Sequence, residues 1–451
     1  METKRALVLS GGGGKGAYQI GAWRALREIG FEPDMVIGTS VGALNGALIV
    51  MDKYDEALDI WENMGMEKVF TSFAENEISK DANMDAKISM LAMEIIKSGG
   101  AEIGPLQDLV YNMMDESLMR SSKIQYGLVT TKFPQIKATQ LFTPDMPEDT
   151  IADYILASAA CFPFVKTKKI GDSSFVDGGY TENMPLKMAL DAGATDVVVV
   201  DISSAPDPML VSDTTNIHYI RSKALTSEGQ LNTSKMLMFD KELSKIYMEQ
   251  AYLDTLKEFD MLDGYIYSFK KGEKFNMSEY EQQSRKLFKK IFCCLPCEGH
   301  IERMARENIV NYMGKCVENP FEHFSNTMLC AEAAANIFKI DTRVIYSVQE
   351  LSSKILNSFE EANEEKLKEG KIDYLVRFID PVFIDNLKHN LDLLEKRKIV
   401  VEISKLLISG KIDDKQKNKI WLVGIPFPEL ICASIFCAST IILQNNKFGG
   451  A

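Results

Sequence analysis

Between Arg5 and Asp201, short apolar runs alternate with amphipathic stretches of helical period. Arg5 to Leu9 predicts a short buried strand, then a glycine loop, then a helix from about Ala17 to Ile29 closed by Gly30. Met35 to Gly38 predicts a second strand, and Val41 to about Met51 a helix with small residues along one side. Tyr126 to Lys132 reads as a strand, Thr150 to Ala160 as a helix ending before Phe162-Pro163, and Phe175-Val176 as a short strand before Asp177. A helix from about Leu186 to Ala192 ends at Gly193 and feeds the β-branched run Asp196 to Asp201. Strands with continuous apolar runs are covered on both faces, and their alternation with helices marks an α/β fold. The expectation is a mostly parallel sheet sandwiched by helices.

The pattern changes after Asp201. Ser203 to Asp213 is polar and carries prolines, Phe239 to Phe259 is helical in period, and Gly264 to Phe269 reads as one last strand. From about Tyr280 onward helical periodicity dominates, with charge-rich surfaces such as Glu360 to Lys368. This divides the chain into an α/β region over residues 1–280 and a mostly helical region over 281–451. Leu430 to Leu443 is apolar but shorter than the ~20 residues of a spanning helix, and Pro426, Pro428 and Glu429 are expected to stop it extending backwards. A buried helix is the favoured reading and a membrane-surface contact the alternative.

Composition narrows the function classes. The 451 residues are 46% hydrophobic and carry a net charge of −13, which argues against a nucleic-acid partner. The same charge opposes attraction to anionic membranes, but it leaves contact through an apolar patch open. The apolar run after Lys4 and Arg5 is too short for a signal peptide, so a cytoplasmic location is expected. Eight cysteines in this length do not make a disulfide scaffold. The cluster Cys293, Cys294, Cys297 and His300 lacks a second spaced ligand pair, so no metal site is expected.

Three motifs carry candidate chemistry. Gly11-Gly12-Gly13-Gly14-Lys15-Gly16 follows a strand and opens a helix, a setting whose peptide N–H groups attract a phosphate or an oxyanion. The spacing also matches a dinucleotide fingerprint, although Asp34, the acid at the right distance, precedes the second strand rather than following it. Lys15 has two readings, a charge that orients the loop or steers a phosphate, and a solvated lysine at a helix start. Gly38-Thr39-Ser40-Val41-Gly42 lies between a strand and a helix, the context of a nucleophile elbow. Asp177-Gly178-Gly179, followed by Asn183 and Pro185, is by itself a common turn signal.

The four histidines are His218, His300, His323 and His389; none precedes residue 218, so all lie beyond the apparent α/β core. A Ser-His-Asp triad would need one of these late residues. If Ser40 is a nucleophile, a carboxylate is the better candidate base, and Asp177 stands at a strand end.

Taken together, the glycine run, the elbow, Asp177-Gly178-Gly179 and the stretch Ala157-Ser158-Ala159-Ala160-Cys161-Phe162-Pro163 resemble the patatin-like phospholipase family in order and spacing. The resemblance covers about residues 5–205, perhaps to 275, and not the C-terminal region. It implies the family's three-layer α/β fold and a serine esterase without cofactor. Ser40 would be the nucleophile, Asp177 its base, and Gly12, Gly13 and Gly14 the oxyanion donors. The implied partner is a lipid ester, with transient contact to a membrane or micelle surface; no protein partner is named by it. The alternatives are a catalytically silent lipid-binding or scaffold protein and, behind it, a nucleotide-binding protein.

Overall fold

The computed structural model describes residues 3–75, 83–203, 215–227, 236–272, 277–292, 299–315, 323–364 and 393–448. Contacts divide the chain into two compact units, Met1–Met261 and Leu262–Ala451.

The first unit is built on strands β1 (Arg5–Leu9), β2 (Met35–Thr39), β3 (Gln125–Phe133), β4 (Lys137–Phe142), β5 (Lys168–Ile170), β6 (Ser173–Asp177), β7 (Asp196–Val200) and β8 (Asn216–Ile220). They form one sheet in the order β5-β6-β3-β2-β1-β7-β8, with β4 also paired to β3. The run from β3 through β2, β1 and β7 to β8 is parallel. Strands β4, β5 and β6 pair antiparallel at one side.

Helices α1 (Ala17–Ile29), α2 (Val41–Val50), α3 (Tyr54–Glu62), α4 (Thr71–Glu75), α5 (Met84–Ser98), α6 (Gly104–Met113), α7 (Glu116–Ser121), α8 (Ile151–Ser158), α9 (Leu186–Asp191), α10 (Lys223–Ser227) and α11 (Lys241–Glu258) complete the unit. Successive strand residues point to opposite faces. Leu7, Leu9, Val36, Leu128, Val198 and Val200 therefore join the larger core with α1, α2 and α11. Ala6, Val8, Met35, Ile37, Val129, Val197 and Val199 pack on the other face with Leu186, Met188 and Ala189 of α9. Helices thus flank the sheet on both faces, α1, α2 and α11 on one and the short α9 on the other.

One feature of the pairing positions the site. Strand β2 pairs with β3 as far as Thr39 opposite Val129. At the next residue, Thr130, the partner is Asp177 of β6, which arrives antiparallel. Strand β4 occupies the opposite edge of β3 across the same residues. The C-terminal ends of β2 and β6 therefore meet end to end on one edge of β3, and the chain leaves the sheet at that junction from both.

The second unit has a small sheet of Leu262–Asp263, Ser268–Lys270 and Ile345–Tyr346, followed by long helices. The single strand expected over Gly264–Phe269 is replaced by two short ones turning at Gly264, whose φ of 109° suits glycine. The apolar run at 430–443 lies inside a helix, Pro428–Phe448, of 21 residues. Pro428 and Glu429 do not stop it. Proline is accommodated in a first helical turn, where its missing N–H would bond nothing. Leu430, Ile431, Cys432, Ile435, Phe436 and Cys437 of this helix are core residues of the second unit. By length and composition it could cross a membrane, yet much of that stretch is buried in the fold. Cys293, Cys294 and Cys297 lie outside the described residues, as does most of the polar stretch 203–213.

Candidate active site

Ser40 stands between β2 and α2 with φ 57° and ψ −125°, a conformation that costs a non-glycine residue about 1–3 kcal/mol. The turn is tight enough to require its glycines. A Cβ on Gly38 would lie 2.1 Å from the Gly42 carbonyl oxygen, and one on Gly42 would lie 2.3 Å from that of Leu9. The Ser40 N–H donates to Ser158 Oγ at 2.8 Å, and that hydroxyl donates onward to the Val129 carbonyl at 2.6 Å. Ser158, at the end of α8, holds the strained turn against β3. The sequence offered Ser158 only as part of a resembling stretch, because this role depends on three distant segments meeting.

The sheet junction brings Asp177 to Ser40. Ser40 Oγ donates to Asp177 Oδ2 at 2.6 Å, and Gly179 N–H donates to Oδ1 at 2.7 Å. Asp177 is buried, and loss of solvent pushes its pKa from 3.8 up to about 6, against the opposing effect of the Ser40 and Gly179 hydrogen bonds. Both carboxylate oxygens are therefore committed, and one of them is aimed at the serine hydroxyl.

The glycine loop lies beside this pair. Gly11 N–H donates to the Asn183 carbonyl at 3.0 Å, and Gly14 N–H to the Met236 carbonyl at 2.8 Å. Asn183 Nδ2 returns a bond to the Gly11 carbonyl at 3.3 Å. Among the described residues no acceptor takes the N–H of Gly12 or Gly13. Gly16 closes the loop against Trp61 and Val41. Lys15 is fully buried, so it is not a solvated lysine. Burial, helped by the Arg221 charge and opposed by Asp201, lowers its pKa to about 8. Arg221 also pairs with Asp201 at 2.6 Å beneath the loop.

Ser40 and Asp177 open into a cavity of about 80 Å³. Its walls are apolar, including Leu44, Trp61, Phe70, Leu106, Leu237 and Phe239. Such walls strip water from Asp177 and offer an acyl chain a place to lie. None of the wall residues from outside the motifs could be named from sequence, since they come from segments far apart along the chain.

His218 is elsewhere. Its Nδ1 lies 3.3 Å from a Glu258 carboxylate oxygen and its ring stacks on Phe259 at 4.6 Å between centroids. The Glu258 hydrogen bond raises its pKa, consistent with a structural ion pair. Asp34, the acid of the nucleotide alternative, accepts the Arg5 N–H at 2.8 Å and serves the start of β1.

The model of the family described as patatin-like phospholipase matches residues 7–190, which contain the glycine loop, Ser40 and Asp177. Patatin-like phospholipase domain-containing protein 7 of Rattus norvegicus is 26% identical over 210 residues, 46% of this chain and 14% of that protein. Lysophospholipase NTE1 of Mycosarcoma maydis is 28% identical over 211 residues, 46% of this chain and 10% of that one. The cUMP-AMP-activated phospholipase of Escherichia coli is 27% identical over 211 residues, 41% of this chain and 58% of that one. The matched stretch thus spans only part of each relative. Among solved structures, VipD from Legionella pneumophila aligns over 96% of this chain at 13% identity with a TM-score of 0.31, a superposition too loose to bear on function. Over residues 7–190 this chain is similar to the patatin-like phospholipase family.

Proposed function

We propose that the chain is a lipid acyl hydrolase of the phospholipase A or lysophospholipase type, acting through a Ser40–Asp177 dyad and an acyl-serine intermediate. The observation that carries this reading is the 2.6 Å bond from Ser40 Oγ to Asp177 Oδ2 at the wall of an apolar cavity. In the first half-reaction Oγ attacks the ester carbonyl as its proton passes to Asp177. The developing oxyanion takes hydrogen bonds from Gly12 and Gly13, each worth about 3 kcal/mol when well aimed. Collapse expels the alcohol, which takes the proton from Asp177. In the second half-reaction Asp177 removes a proton from water, the hydroxide attacks the acyl-serine, and the fatty acid leaves as Ser40 recovers its proton. No cofactor is needed for this balance.

A pKa of about 6 suits the assignment. A carboxylate raised that far is a stronger base than an ordinary aspartate, yet it is still ionised at neutral pH. Hydrolysis should fall as pH drops through about 6, where Asp177 protonates. The decisive test is mass-spectrometric profiling of defined lipids with wild type, Ser40→Ala and Asp177→Asn, alongside labelling by a fluorophosphonate probe. Loss of fatty-acid release in both variants and of labelling in Ser40→Ala is expected. A folded wild type that neither labels nor hydrolyses would favour the silent lipid-binding alternative.

A further inference from the structure

Helix α5 turns an apolar face to solvent beside the candidate site. Ile88, Met93 and Ile96 are 40%, 53% and 82% exposed. At 3.6 residues per turn they share a sector of roughly 140° with Ala92 and Ser89, which are also exposed, and with Asp85 at the start of the helix. Asp85 places one charge in that sector in the first turn; from Ile88 onward Ser89 is its one polar member, and Lys97 borders it. The other side of the helix is accounted for: Leu91 is a core residue, and Met90 and Ile95 pack against that core. A helix on the surface of a soluble protein ordinarily places charge on its outer face.

The C-terminal end of this helix is tied to a segment that lines the cavity. Just beyond the end of α5, Ala101 N–H donates to the Phe164 carbonyl at 2.8 Å, and Ala101 bridges Val165 in parallel. In the segment Cys161–Val165, Cys161 and Val165 line the cavity, while Phe162 and Phe164 between them are each 37% exposed. Tyr180, next to the Asp177-Gly178-Gly179 turn, is 48% exposed, and its hydroxyl donates to the Phe162 carbonyl. The segment flanking the cavity is therefore aromatic on its outer side, with the exposed Glu102–Lys166 ion pair next to the Ala101–Val165 bridge that joins it to α5.

We propose that α5 and the Cys161–Val165 segment form an interfacial docking face that inserts into the surface of a lipid bilayer, so that the cavity opens onto it and receives its substrate directly. The proposal rests on the acyl-hydrolase reading and specifies how that substrate is presented. A lipid surface fits this face better than a protein does. A protein seated here would cover the mouth, whereas a bilayer delivers an acyl ester to it. Aliphatic side chains with an aromatic rim and a bordering lysine are the composition that settles at a lipid–water boundary. A net charge of −13 argues against strong attraction to anionic lipid, so the proposed attachment rests on apolar insertion.

The test uses the full-length chain carrying Ser40→Ala, so that vesicles stay intact, in co-sedimentation with phosphatidylcholine vesicles. Met93→Glu and Ile96→Glu, both at exposed positions, should each weaken partitioning by about tenfold or more. Binding of the parent should persist at high salt. In chains that retain Ser40, the paired Met93→Glu/Ile96→Glu variant should lose about tenfold or more of its activity on vesicle lipid. It should hydrolyse the monomeric ester p-nitrophenyl butyrate at the parent rate. Unchanged vesicle binding in both variants, absence of binding in the parent, or binding that salt abolishes would overturn the proposal. Should the variants lose binding while the wild type hydrolyses no ester at all, the docking face stands and the acyl-hydrolase reading fails.

Discussion

Asp177→Asn should make the protein more stable while it removes activity. The carboxylate is buried, and its pKa rises from 3.8 to about 6 because burial penalises the charged form. At neutral pH the group is ionised in both folded and unfolded chains, so the whole displacement is a cost of folding, about 3 kcal/mol at most. The sign follows from the direction. With the folded value above the unfolded one, the cost is fully present above about 6 and disappears as pH falls toward 3.8. Asparagine keeps the shape: its carbonyl can accept the Gly179 N–H and its amide can donate to Ser40 Oγ, the two contacts Asp177 now makes. The expected gain at pH 7.5 is therefore about 2–3 kcal/mol, or roughly 4–10 °C in the melting transition of the first unit. The gain should shrink sharply by pH 4.5. Fatty-acid release at pH 7.5 should fall by about 100-fold or more. Calorimetry of wild type and variant at both pH values reads the two effects. A variant less stable than wild type at pH 7.5, or an advantage that does not narrow at low pH, would refute desolvation as the source of the basicity.

Ser158→Ala removes the acceptor of the Ser40 N–H and should lower kcat by about tenfold or more through a displaced elbow. Fluorophosphonate labelling should slow in parallel while the fold is retained by circular dichroism; an unchanged kcat would show that the turn holds itself. His218→Ala should leave hydrolysis near the wild-type rate, because the histidine is paired with Glu258 and stacked on Phe259. A loss of 100-fold or more, of the order expected for a general base, would return the Ser-His-Asp alternative.

The parts legible from sequence are those whose signal is local. Strands β1, β2 and β7 are buried on both faces, so Ala6–Leu9, Met35–Ile37 and Val197–Val200 read as unbroken apolar runs. The elbow announced itself because its glycines are fixed by clashes within a few residues of Ser40, apart from the approach to Leu9. Strands β4 and β8 went unseen. Lys137–Phe142 is mostly solvent-facing and Asn216–Ile220 is only partly buried, so neither carries the apolar signature of the central strands. The burial of Lys15 was equally hidden. A lysine at a helix start looks solvated until Asp201 and Arg221 arrive from elements nearly two hundred residues away.

On the proposed dyad reading, the junction of β2 and β6 is what would let the site work without a histidine. Where two strands meet end to end on one edge of β3, their terminal side chains are brought together by backbone pairing rather than by a flexible loop. A serine on one terminus and an aspartate on the other then stand within hydrogen-bond distance, with the ladder of β3 fixing the separation. An aspartate in water would be too weak a base to profit from that position. The apolar side chains of Leu44, Trp61, Phe70 and Leu106 remove the water, and they are also the surface an acyl chain would contact. On that reading, substrate recognition and basicity would share one physical origin. A polar substitution in this wall should weaken both together, lowering affinity for long acyl chains and moving the acid limb of the pH profile below about 6. Leu106→Asn, read by KM against chain length and by the pH dependence of kcat, separates this from a purely steric wall, which would change the chain-length preference and leave the acid limb where it is.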